Sequence, residues 1–220
     1  MHKRDFFDQV ACSEDPLLFK QSDHCKIEIL RSRLGRLDGL RVLEPGCGAG
    51  PLTEYLSDWV GPTGHVLAFD VSPRMVEKCR ARIGLRGNVD VVEGTLETIR
   101  LLPAAWDLII CFRVFPHFDD KPLVLRQFHL CLAPAGRLVI ANLEGSTRLN
   151  RRHGSFSQAV RHDHMPGAGG TRKMLEEAGY KIVVALDSED EFYVEALKPV
   201  RPIMKRGTSS IQTRQESLSS

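Results

Sequence analysis

The chain has 220 residues, 42% hydrophobic and 26% charged, with a formal net charge of +2. That length and apolar content suit one globular domain with its own core. The near-balanced charge gives no global electrostatic case for a nucleic-acid or membrane partner, and no apolar run reaches bilayer-spanning length. No signal-peptide core follows the basic N-terminus. The six cysteines, at positions 12, 25, 47, 79, 111 and 131, include no C-x-x-C pair. They are expected as free thiols in a reducing compartment, which points to the cytoplasm.

Residues 1–39 are expected to be a helical cap. Phe6, Phe7 and Val10 fall on one side, Ile27, Leu30, Leu34 and Leu37 recur at helical spacing, and Gly35 and Gly39 mark the end. Residues 41–44 read as a first strand and 51–60 as a first helix, closed by Gly61-Pro62-Thr63-Gly64. A second strand runs over 65–70. Ser72 or Asp70 can cap the next helix, which has Pro73 at its first position and runs to Ile83. A third strand is expected over 89–93 and a fourth, almost wholly apolar, over 106–111. A helix over 122–132 and a turn at Pro134-Ala135-Gly136 lead into a fifth strand over 137–142. From 143 to 170 periodicity is lost, so this stretch is expected as a long functional loop. A helix over 171–178 and a hairpin of strands 181–186 and 191–197 close the domain. Residues 199–220, polar and Ser-rich, are expected as a disordered tail. The alternation predicts one α/β domain over 40–198: a doubly wound, mostly parallel, seven-stranded sheet with a C-terminal antiparallel hairpin.

The first strand runs into Glu44-Pro45-Gly46-Cys47-Gly48-Ala49-Gly50-Pro51. Glycine at alternate positions lets the chain turn tightly and lets a ligand approach the backbone. A dinucleotide fingerprint, G-x-G-x-x-G, has glycine where this chain has Pro51. E-x-G-x-G-x-G instead resembles motif I of the class I S-adenosylmethionine (SAM)-dependent methyltransferases, and the Pro134–Leu138 turn resembles theirs as well. The resemblance covers roughly residues 40–197. It implies the Rossmann-like methyltransferase fold, SAM as cofactor and S-adenosylhomocysteine as product. It also implies that Glu44, Gly46, Cys47, Gly48 and Gly50 cradle the cofactor and that Asp70 accepts the ribose hydroxyls. Val71 and Met75 would lie beside the adenine. Thr95 stands where relatives have an adenine-binding Asp, with Leu96 beside it, and Cys111 ends the strand that passes the methionine moiety. Asp70 is also a natural helix cap, and Val71 and Met75 also suit a helix core.

His117 lies where many small-molecule methyltransferases carry a histidine. It reads either as a general base or as a packing residue. In Arg161-His162-Asp163-His164, residues at i and i+2 on an extended segment point to one side. His162 and His164 are therefore candidate catalytic residues, with His153, Asp163 and Glu144 nearby. The set can share a metal ion, bind substrate or act in acid–base chemistry, or be simply solvated; no metal ligand is assigned. Residues 143–170 are expected to form the substrate-facing wall. Together these residues predict methyl transfer from SAM to a small-molecule acceptor. The alternatives are an RNA or protein methyltransferase and a non-catalytic SAM-binding regulatory subunit. No membrane or nucleic-acid partner is expected, and oligomeric state is not legible.

Overall fold

The computed structural model describes residues 2–12, 19–154 and 160–200; the expected tail, from 201 on, lies outside them. The helices are α1 (Lys3–Cys12), α2 (His24–Leu34), α3 (Pro51–Val60), α4 (Pro73–Ile83), α5 (Lys121–Cys131), α6 (Ser146–His153) and α7 (Ala168–Glu177). The strands are β1 (Arg41–Pro45), β2 (His65–Asp70), β3 (Val89–Glu93), β4 (Trp106–Phe112), β5 (Leu132–Asn142), β6 (Lys181–Asp187) and β7 (Phe192–Leu197). They form one seven-stranded sheet in the order β3-β2-β1-β4-β5-β7-β6. β1 to β5 pair in parallel, whereas β7 is antiparallel to both β5 and β6. The doubly wound sheet with a closing antiparallel pair is thus as expected. Strand order reverses between β1 and β4, and this opens a crevice at their carboxyl ends.

Strand alternation divides the core into two layers. Leu43, Ile109, Cys111, Leu138 and Ile140 face α5 and α7, with Phe128 and Leu175 against them. Val42, Leu108, Ile110 and Val139 face the other side, with Leu52, Leu56, Ile27 and Leu30. β4 is buried on both faces, which explains its unbroken apolar sequence. The helical reading of the N-terminal segment holds for α1 and α2. Leu37 lies beyond α2 in irregular chain, yet it is fully buried.

Two features depart from the sequence reading. The Pro134–Gly136 turn lies inside β5, in a bulge where pairing jumps from Trp106↔Leu132 to Leu108↔Arg137. There Ala135 adopts φ 63, left-handed backbone that glycine accommodates more readily. Its N–H donates to Lys198 O at 3.1 Å, which pins the bulge to the chain leaving β7. The second departure is α6, which falls within the stretch expected to be irregular. Its sequence, STRLNRRH, carries a single large apolar residue, so no hydrophobic period announces it. Its N-terminus is satisfied from a distance. Asp187, at the end of β6, accepts from Ser146 N–H at 2.9 Å and from Ser146 Oγ at 2.6 Å. The same carboxylate accepts from Ala168 N–H at 3.3 Å at the start of α7.

One carboxylate therefore caps two helices. Asp187→Ala is expected to lower stability by about 1–2 kcal/mol, the upper range for loss of a helix cap, read as a reduced urea midpoint with an unchanged m-value.

Candidate cofactor and acceptor site

The cavity at the strand reversal has a volume of about 460 Å³ and is lined from the carboxyl ends of β1, β2 and β4, the turn after β3, and α1. Its floor is the glycine loop. Gly46 and Gly48 have φ 67 and 55, and a Cβ on Gly46 would collide with the Val114 side chain. The loop is tied to β2 because Gly46 and Cys47 N–H both donate to Phe69 O, at 2.7 and 3.0 Å. Asp70 completes the attachment: one carboxylate oxygen accepts from Gly48 N–H and the other from Ser72 N–H, each at 2.9 Å. Burial raises the Asp70 pKa, and the Ser72 and Gly48 N–H groups act against that rise. Ser72, not Asp70, caps α4, accepting from Met75 N–H at 3.2 Å.

Glu44, Gly46, Cys47, Gly48, Asp70, Val71, Met75, Thr95 and Leu96 all line the cavity. Gly50 and Cys111 do not. Gly50, with φ 80, faces α4, where a Cβ would come within 2.6 Å of Cys79 Sγ; its role is helix–loop packing. Cys111 is fully buried between sheet and helix, and burial pushes its thiol far up. Thr95 uses its hydroxyl locally, accepting from Glu97 N–H at 3.3 Å. Glu97, which the sequence reading passed over, also lines the cavity and brings a carboxylate to the place where the usual acid is missing.

At the other end stands His117, in the 3-10 turn Phe115–His117 after β4. Its Nδ1 lies 2.6 Å from Asp163 Oδ2. A carboxylate only accepts, so Nδ1 carries the proton in this pair and Nε2 is left as the basic nitrogen. The ring is packed between Phe7 of α1, at 5.1 Å between centroids, and His153 of α6, at 5.3 Å. Lys3 Nζ closes the group from α1: it lies 2.9 Å from Asp163 Oδ1 and 2.6 Å from Asp119 Oδ1, and it donates to His117 O at 2.6 Å. Burial pushes the Asp163 pKa up, but its bonds to His117 and Lys3 outweigh this and hold it below the usual carboxylate value.

The His162/His164 pair is placed differently from the expectation. Both side chains are exposed and neither lines the cavity. The i, i+2 alternation is present, but with the opposite face inward: Asp163 and Met165 are buried. Among the described residues no group of three His, Cys, Asp or Glu side chains is arranged to hold a metal, and no helix is long and apolar enough to cross a membrane.

The cavity fits SAM by its own features. It offers a floor without Cβ atoms, a strand-end carboxylate whose oxygens each keep a free lone pair, and largely apolar walls. Residues 42–136 match a protein-family profile described as "Methyltransferase domain". A demethylmenaquinone methyltransferase of Lactococcus lactis subsp. lactis (strain IL1403) is 30% identical over 123 residues, covering 55% of this chain and 48% of that protein. The chain thus spans about half the length of this curated relative. A solved SAM-dependent methyltransferase from Aquifex aeolicus superposes with a TM-score of 0.65 at 21% identity, over 90% of this chain and 99% of that one. The N-methyltransferase NodS from Bradyrhizobium japonicum WM9, solved with S-adenosyl-L-homocysteine, gives 0.66 at 21% identity, over 89% and 98%.

Glu44 generates a pH prediction. It is buried and accepts from Thr53 Oγ1 at 2.7 Å, and burial raises its pKa from an ordinary 4.5 to about 8. The folded protein therefore keeps a proton that the unfolded chain releases. This group's contribution to stability is greatest below pH 4.5, falls as pH rises towards about 8, and is flat above that. The difference between wild-type and Glu44→Gln in urea unfolding, followed from pH 5 to 9, should show that slope, with the variant lacking it.

Proposed function

We propose that this chain, in which residues 42–136 are a class I SAM-dependent methyltransferase domain, methylates a small molecule held against His117. The observation that carries this reading is His117, which lines the same cavity as the glycine loop and Asp70 and is bonded from behind by Asp163. Bound SAM supplies an activated sulfonium methyl group. The protein's part is to align acceptor and methyl group in line, to exclude water and to take up a proton. Gly46 and Gly48 admit the cofactor to the loop, and Asp70 accepts the ribose hydroxyls. Glu97, with the Thr95 backbone, serves the adenine end. His117 Nε2 removes the proton from the acceptor's nucleophilic atom as that atom bonds to the methyl carbon. Asp163 holds the ring through Nδ1 and stabilises the imidazolium that results.

Enclosure supports a small acceptor over an RNA or a protein chain. α1 lies against the cavity, with Lys3 and Phe7 in its wall. A base with an oriented carboxylate supports catalysis over a purely regulatory SAM-binding role. The exposed His162 and His164 take no part in the proposed mechanism; the acid between them does.

Two sets of variants test this. Asp70→Ala should weaken SAM binding by about 10- to 100-fold, matching about 1–3 kcal/mol for a charged hydrogen-bond partner; unchanged affinity by calorimetry would remove it from the cofactor site. Against a panel of phenols, amines and thiols, His117→Ala should lower turnover by about 10²- to 10⁴-fold while SAM affinity stays near wild-type. Asp163→Asn should act in the same direction. His162→Ala and His164→Ala should leave turnover within a few-fold. Full turnover in His117→Ala would refute its role as base.

A further inference from the structure

Arg113 is the residue after β4, and nothing in the proposed chemistry uses it. It lines the cavity, is half-buried, and adopts φ 61. A long side chain in left-handed backbone is costly, and such strain collects at ligand sites. Its backbone is fixed by an N–H bond to Ala141 O at 2.9 Å. Its guanidinium lies against the Phe112 ring, 5.9 Å from the centroid. No hydrogen bond or ion pair to the guanidinium is present among the described residues.

A half-buried guanidinium without a partner is an unfavourable arrangement unless a ligand supplies the anion. The surrounding charges do not cancel it. Arg152 of α6 adds positive potential, while Asp23 and Glu144 oppose it. Glu144 is itself paired with Arg152 and lies 3.6 Å from Arg148. The Phe112 ring lies beside Arg113, and the cavity it shares is also lined by Phe7, Val114 and Phe118. Planar and bidentate, guanidinium matches carboxylate and phosphate oxygens in a way that other side chains do not.

We propose that Arg113 is the anion-binding residue of the acceptor end, so that the molecule methylated here carries a carboxylate or phosphate on an apolar or aromatic body. This rests on the methyltransferase reading of the cavity. It assigns Arg113 to hold the acceptor's oxyanion while His117, four residues along, faces the atom that receives the methyl group.

The test uses the full chain saturated with S-adenosylhomocysteine and three probes: benzoate, phenyl phosphate and the neutral benzamide. Benzoate or phenyl phosphate should bind at least 10-fold tighter than benzamide by calorimetry; whichever is tighter identifies the oxyanion. Arg113→Gln should erase the difference without changing S-adenosylhomocysteine affinity, and Arg113→Lys should restore part of it. The wild-type comparison stands even if the Gln variant fails to fold. Equal binding of all three probes, no anion binding in the millimolar range, or a preference that survives in Arg113→Gln would overturn the proposal. So would a 10-fold loss of S-adenosylhomocysteine affinity in Arg113→Gln, which would give the guanidinium to the cofactor's own carboxylate. If S-adenosylhomocysteine does not bind wild-type protein, the methyltransferase reading fails instead. The same titration on the protein alone then decides the anion site.

Discussion

The buried carboxylate of Asp70 is the constraint on which the site depends. A carboxylate at the end of a parallel strand needs donors, and here the donors are backbone N–H groups from two directions, Gly48 before it in sequence and Ser72 after it. Accepting both fixes the glycine loop of β1 against the entry to α4. Accepting from Gly48 N–H uses one lone pair of that oxygen, and the Ser72 bond uses one of the other, which leaves the carboxylate capacity for a hydroxyl donor. The same residue thus shapes the floor and presents an acceptor above it. Gly50 and Cys79 secure the far side, where the missing Cβ lets α4 approach.

The His117 end of the cavity is assembled from segments far apart in sequence. Lys3 comes from α1, His117 from the turn after β4 and Asp163 from the chain before α7, and they meet at the Asp163 carboxylate. His153 of α6 braces Asp163, its Nδ1 lying 2.8 Å from Asp163 O, while Asn150 bonds both the N–H and the C=O of Met165. α6 is therefore the buttress of Asp163, and Asp187 is in turn the buttress of α6. A polar chain of this kind gains rigidity only when each member is satisfied.

Sequence legibility follows the range of the interactions. The glycine loop, Asp70 and the first five strands announce themselves locally, through short spacing and apolar period. α6 is illegible because its cap lies 41 residues away and its outer face is charged. In the His162-Asp163-His164 stretch, period-two alternation is readable, but which face turns inward is not. Histidine draws attention by its chemistry, yet the buried partner of His117 is the acid between the two. Gly50 and Cys111 belong to the same motif and strand as the cavity residues, yet Gly50 packs against Cys79 and Cys111 is buried in the core. The sequence does not announce φ 63 at Ala135, because a fixed bulge, not the residue's preference, sets that angle.

The attachment of α1 bears on the cavity wall and on His117. Its grip is mostly polar: Lys3 on Asp163 and Asp119, Arg4 on Glu93 at 3.1 Å, and Asp8 with Ser72. Of its residues, only Ala11 is buried, in a small cluster with Ala49 and Met75. Of these contacts the Arg4–Glu93 pair is exposed and contributes about 0–1 kcal/mol, whereas Lys3 meets a buried carboxylate at Asp163. α1 contributes at two points at once: Phe7 stands in the cavity wall, and the Lys3 charge meets Asp163 Oδ1 while Oδ2 holds His117. The cavity wall and the His117 ring are therefore linked through one lysine and one carboxylate.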